Sequence, residues 1–123
     1  MKDHLVDERG TALSSDDLAP LRELLHEQRL FREEQLRQLA VAAATRTDAL
    51  RARQAASQLE ISVKLAASAR MVLADVDAAL ARMDQGCYGT CHLCRGPIAR
   101  ERLTVVPQAR YCARCQQVRE AGR

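Results

Sequence analysis

Apolar positions in the first third of the chain recur at helical spacing. Leu18, Leu21, Leu24, Leu25, Phe31, Leu36 and Leu39 fall on one stripe, with Arg22, Glu23, Arg32, Glu33 and Arg37 between them. Ser14-Ser15-Asp16-Asp17 precedes the stripe and supplies side-chain oxygens for the free amides of a first helical turn. Pro20 is acceptable there if it falls in that turn. The pattern predicts a helix running to about Ala44. Thr45-Arg46-Thr47-Asp48 then breaks it with β-branched and capping residues, which places a bend between residues 45 and 56.

The next stretch is more regular. Leu59, Ala66, Leu73 and Leu80 recur every seven residues, and Ser62, Ala69, Val76 and Met83 follow each by three. Such a seam requires a facing helix. Two helices of roughly 30 residues around a mid-chain bend predict an antiparallel hairpin about 45 Å long. A coiled-coil dimer through the same seam is the rival arrangement, and the matched helix lengths favour a monomer folded back on itself.

Composition supports a rod over a globule. The aromatic residues are Phe31, Tyr88 and Tyr111, and tryptophan is absent. Glycine is missing between Gly10 and Gly86, and Pro20 is the one proline in that interval, so little interrupts a helix. Residues 1–14 lack any period and read as a mobile N-terminal arm. The N-terminus has no apolar run of signal-peptide length, and no window approaches a membrane span, so a soluble, cytoplasmic protein is expected.

The chemistry gathers after Gln85-Gly86, where glycine can take the left-handed conformation of a helix end. Cys91-His-Leu-Cys94 and Cys112-Ala-Arg-Cys115 form two C-x-x-C knuckles separated by seventeen residues, the pattern of a four-thiolate zinc site. Gly89 and Gly96 flank the first knuckle, Leu103-Thr-Val-Val106 reads as a short strand stopped by Pro107, and Gln116 to Glu120 as a short helix. The expected fold is therefore mainly α: a coiled-coil hairpin over residues 15–85, then a C4 zinc-finger module over residues 86–123 with a short C-terminal helix.

Four cysteine ligands leave no open coordination position, so one structural Zn2+ is expected and no enzyme activity. A thioredoxin-like role would need a βαβ context that is absent from the pattern. Cys87 is a fifth thiol, four residues before Cys91, and reads as a half-buried residue at the hairpin base or as a redox-sensitive partner of the cluster. His92 reads as solvent-facing and not as a ligand. The formal charge of +3 falls to about +1 once a zinc tetrathiolate is counted. Residues 95–123 nonetheless carry seven arginines against Glu101 and Glu120, which keeps direct DNA contact as a weaker alternative.

Taken together, Gly86-x-Tyr88-Gly89-x-Cys91-x-x-Cys94, Ile98, Arg102-Leu103, Pro107 and Cys112-x-x-Cys115 resemble the signature of the DksA/TraR zinc-finger family. One departure is Arg95, since the family more often has glycine directly after the second cysteine. The resemblance implies binding to bacterial RNA polymerase, with the hairpin entering the secondary channel, acidic tip residues approaching the active-site magnesium, and ppGpp as a co-effector. The tip string of the DksA branch, Asp-x-x-Asp-x-Ala, occurs nowhere in this chain. The candidate tip contacts are Asp48 with Arg46, Arg51 and Arg53, a net cationic group that magnesium would repel. Asp75 and Asp77 are expected at the opposite end of the rod.

Overall fold

The computed structural model describes residues 13–44 and 52–122, with side chains from residue 56 onward in the second segment. Helix α1 spans Ser15–Ala44, α2 spans Ala52–Gln85, and two short helices follow, α3 at Arg100–Val105 and α4 at Ala113–Ala121. The first two form the expected hairpin. The second helix is under way by Ala52, so the bend is narrower than the sequence interval; the candidate tip residues Arg46, Asp48 and Arg51, and the side chain of Arg53, lie outside the described residues.

Helix α1 is set by a reciprocal capping box. The Ser14 amide donates to Asp17 Oδ2 at 2.9 Å, and the Asp17 amide donates to Ser14 Oγ at 3.2 Å. Hydrogen bonds from the Ser14 amide first and then from its hydroxyl, 3.2 Å from Asp17 Oδ2, hold the Asp17 carboxyl below its usual range, with Arg100 contributing charge. Leu13, just before the cap, is buried in the core together with the partly buried Leu18. It sits at the position of a hydrophobic staple, so residues 13 and 14 belong to the fold and not to an arm. Pro20 falls in the second turn, contrary to the sequence reading. Its missing N–H deprives the Asp16 carbonyl of a helical donor, and it is tolerated on an exposed face where water can reach that carbonyl.

One buried cluster joins three elements. Leu21 and Leu25 come from α1, Val76, Ala79 and Met83 from α2, and Tyr88, Cys91, Ile98, Leu103 and Ala109 from the finger. The heptad seam holds as drawn but fades along the rod: Ala69, Val76 and Met83 are buried, Ala66, Leu73 and Leu80 half-buried, and Leu59 is 50% exposed. Phe31 departs from its predicted place on the buried stripe and is 64% exposed. Six residues beyond Leu25 is 600° of helix rotation, which carries Phe31 about 120° away from it.

The predicted strand at residues 103–106 is instead the end of α3. A strand would bury alternate residues, whereas Leu103 and Pro107 are buried and Val105 is exposed. Thr104 donates its hydroxyl to the Glu101 carbonyl at 2.8 Å, meeting its polar need within the helical turn. Packing of Leu103 into the core thus overrides β-propensity. Among the described residues the extended pairing is confined to one bridge, Thr90 with Pro97.

Leu25→Ala is expected to cost about 2–5 kcal/mol, because it opens a cavity where α1, α2 and the finger meet. Leu59→Ala is expected to cost about 0.5 kcal/mol. Urea unfolding of the zinc-loaded protein measures both, and equal losses would refute the gradient of burial.

Candidate functional site

The four cysteines converge. The Sγ atoms of Cys91, Cys94, Cys112 and Cys115 all lie within 4.8 Å of one another. A tetrahedral zinc ion with Zn–S bonds of about 2.3 Å requires sulfurs about 3.8 Å apart, and Cys94 and Cys112 stand at 3.9 Å. The donor set and its spacing fit zinc.

Local backbone geometry builds each knuckle. In the first, the Cys91 amide donates to the Gly96 carbonyl at 2.8 Å and the Arg95 amide returns to the Cys91 carbonyl at 3.0 Å. The Gly96 amide reaches Cys94 Sγ at 3.4 Å, and a Cβ on Gly96 would meet that sulfur at the same distance. Gly86 and Gly89 take left-handed conformations with φ of 80° and 89°, as their positions require. Arg95 does so too, with φ of 64°, and it is the one non-glycine residue among the described residues to do so. The knuckle turn thus needs a left-handed residue directly after Cys94, and here an arginine bears that strain.

The second knuckle opens α4. Cys112 is its N-cap, accepting from the Cys115 amide at 3.5 Å, so the helix dipole favours thiolate there. The knuckles are tied by the His92 amide donating to the Arg110 carbonyl at 2.9 Å. Electrostatics divide Cys91 and Cys112 from Cys115. Burial pushes Cys91 up, but hydrogen bonds from the backbone at Cys94, Cys112 and Leu93 outweigh it and hold the group down at about 6. The Cys112 thiol is also lowered, chiefly by the Cys115 amide. Cys115 is pushed up to about 12, first by its hydrogen bond with Cys112 and then by burial. Four thiolates this close cannot all ionise without a cation, and a dication that displaces their protons is what such a cluster selects.

Cys87 is exposed, not half-buried, and stands outside the cluster, with Gln85 Oε1 3.7 Å from its sulfur. His92 is exposed and edge-on to Tyr111 at 6.0 Å. Asp75 and Asp77 lie at the finger end of the rod as expected, in ion pairs with Arg110 at 2.8 Å and Arg29 at 2.9 Å. The finger's arginines are largely engaged within the protein. Arg100 reaches Asp17 at 3.3 Å, Arg102 donates Nε to the Tyr111 carbonyl at 2.9 Å, and Arg119 lies over the Tyr111 ring at 4.5 Å.

Sequence reasoning missed the Tyr88 anchor, whose hydroxyl donates to the Pro107 carbonyl at 2.7 Å and which burial pushes up to about 12 despite nearby Arg82. Nothing local in the sequence announces that bond. The role of Leu13 was detectable, since an apolar residue before Ser-x-x-Asp is a staple signal.

The arrangement defines a zinc-finger protein in which a C4 module is fused through a shared core to a two-helix rod. Residues 86–121 match the family model described as prokaryotic dksA/traR C4-type zinc finger. An uncharacterized protein of Aquifex aeolicus (strain VF5) is 40% identical over 52 residues, which cover 41% of this chain and 36% of that relative. The solved structure of transcription factor DksA2 from Pseudomonas aeruginosa is similar with a TM-score of 0.75 at 23% identity, over 86% of this chain and 84% of that one. The chain thus carries a DksA/TraR C4-type zinc finger on a DksA-like fold, and its four cysteines form the finger's zinc-binding site. Among the described residues no helix is long and apolar enough to cross a membrane.

Cys87→Ser is expected to leave zinc content unchanged, whereas Cys91→Ser and Cys112→Ser lose the metal and unfold the finger. Metal analysis after dialysis measures this, and equal loss from the Cys87 variant would refute the ligand assignment. Arg95→Gly is expected to stabilise the zinc-loaded protein by about 1 kcal/mol by relieving the left-handed strain. A fall in unfolding midpoint for this variant would show that the arginine side chain contributes more than its backbone costs.

Proposed function

We propose that this chain is a DksA/TraR-type transcriptional regulator that binds bacterial RNA polymerase through the secondary channel, with zinc in a structural role and no enzymatic activity of its own. The observation that carries this reading is the pairing of a DksA/TraR finger with a DksA-like fold over most of the chain. Its logic is mechanical. A narrow rod anchored on a rigid base can reach into a channel that a globular domain cannot enter, and the zinc site stiffens that base.

Residues at the bend argue against a copy of the acidic-tip mechanism. Asp48 stands among Arg46, Arg51 and Arg53, so a tip of this composition attracts nucleic-acid phosphate or an acidic channel wall more readily than a magnesium ion. On this reading the regulator acts by occupying the channel. Direct duplex binding by the finger is less well supported, because Arg100, Arg110, Arg102 and Arg119 already have partners within the chain. Regulation by ppGpp and redox response through Cys87 are separable additions to the same reading.

Purified zinc-loaded protein is expected to be retained by core RNA polymerase at micromolar concentration and to alter transcription in vitro. Cys112→Ser is expected to abolish both. Absence of retention and of any transcriptional effect would sink the proposal. Tight duplex binding that falls steeply with salt, without polymerase binding, would move the function to the finger.

A further inference from the structure

The hairpin and the finger enclose a groove that neither the zinc site nor the coiled-coil seam explains. It lies between α1 and the end of α3, has a volume of about 500 Å3, and is lined on the α1 side by Leu24, Glu27, Phe31 and Arg32 and on the finger side by Val105 and Pro107. This size is ordinary for a site that takes one or two side chains. Phe31, the chain's one phenylalanine, is 64% exposed here and Val105 is 76% exposed. A protein with three aromatic residues thus leaves one of them in solvent, facing an exposed valine across a gap.

The charged groups that line the groove, Glu27 and Arg32, both stand on the α1 bank. Arg32 lies with its guanidinium carbon 5.3 Å from the Phe31 ring centroid and donates NH1 to Gln35 Oε1 at 3.0 Å. Its Nε is buried without an acceptor, and no carboxylate pairs with it among the described residues. Arg22, Arg29, Arg100 and Arg110 each hold an aspartate, so Arg32 is an arginine fixed on an apolar wall with its charge unmatched. Glu27 stands on the same α1 bank but forms no ion pair with it: five residues along a helix is about 140° of rotation, which sets the two side chains apart.

We infer that this groove is a docking site for a partner protein segment that presents an apolar side chain next to a carboxylate. The apolar group fills the space between Phe31 and Val105, and the carboxylate meets the Arg32 guanidinium as a charge-assisted pair on the aromatic face. The groove sits where the rod leaves the finger, so a partner gripped there is held at the base while the rod extends away. Assignment of the segment to RNA polymerase rests on the regulator reading above; the docking chemistry does not.

Two measurements separate these statements. In the first, isotope-labelled, zinc-loaded full-length protein is titrated with the capped peptide acetyl-Ala-Leu-Asp-Ala-Leu-amide and with its Asp→Asn counterpart. The expected result is amide shifts confined to residues 24–32 and 104–106, with the aspartate peptide bound about tenfold tighter. Arg32→Gln should erase that difference, and Val105→Asp should abolish binding while the spectrum stays folded. Absence of shifts in the groove, or equal affinity for the two peptides, overturns the docking site.

In the second, Phe31→Ala and Val105→Asp are tested for retention by core polymerase, with zinc content and unfolding midpoint as controls on the fold. A loss of about tenfold or more supports polymerase as the occupant. Unchanged retention alongside intact peptide binding overturns that assignment alone. Failure of the unaltered protein to bind polymerase also overturns it and counts against the regulator reading, while the peptide result still decides the groove.

Discussion

The structure depends on a single shared core at the junction of rod and finger. Two helices packed side by side bury one stripe each, and α1 and α2 offer mostly leucine and alanine to that contact. Around Leu25 and Val76 the finger supplies a third wall through Tyr88, Ile98 and Leu103, and burial there is complete or nearly so. That wall is itself too small to fold on apolar burial alone. Its stability comes from zinc, since metal-binding energy in such a module is folding energy. The ion therefore stabilises more than its own loops. Through Cys91, which is both ligand and core residue, it fixes the surface against which the two long helices close.

From that junction outward, order of contact gives way to exposure. Ala69 is buried, Ala66 half-buried and Leu59 half-exposed, a sequence that follows distance from the finger. A rod with this gradient is anchored at one end and lightly packed toward the other. The same gradient explains why the heptad seam is regular in sequence but unequal in burial: the pattern specifies which face turns inward, while the third wall decides how much of it leaves water.

Much of this was legible in the residues because the signals were periodic or stoichiometric. Heptads name a helix face, and two C-x-x-C pairs name a four-sulfur site. What the pattern could not supply were decisions taken by distant neighbours. Thr104-Val105-Val106 has the composition of a strand, yet Leu103 enters the core only if the segment turns as a helix. Phe31 reads as core by type, and the rotation of α1 alone puts it outside. Arg95 was visible as a departure from the family pattern, but its meaning came from the backbone: the residue after Cys94 must be left-handed, so the usual glycine there is a geometric requirement that this chain meets at a cost.

Charge settles a point that apolar packing leaves open, the register of the hairpin. Leucine and alanine seams tolerate sliding by a heptad, since each repeat presents nearly the same surface. Arg22 pairs with Asp84 and Arg29 with Asp77, so seven residues forward on α1 correspond to seven residues back on α2. Both pairs are partly exposed, and each contributes little to stability. A slip of one heptad would preserve one match at most: one way it sets Arg29 against Arg70, and the other way it carries Arg22 past the end of α2 at Gln85, so together the pairs favour one alignment over its neighbours. Arg110 with Asp75 and Arg100 with Asp17 extend the same logic to the finger, tying it to α2 on one side and to the cap of α1 on the other. Arginines that in composition suggest a nucleic-acid surface thus hold the base of the rod in register, and Arg32 stands apart from them because its position on α1 faces the groove and, among the described residues, no aspartate pairs with it.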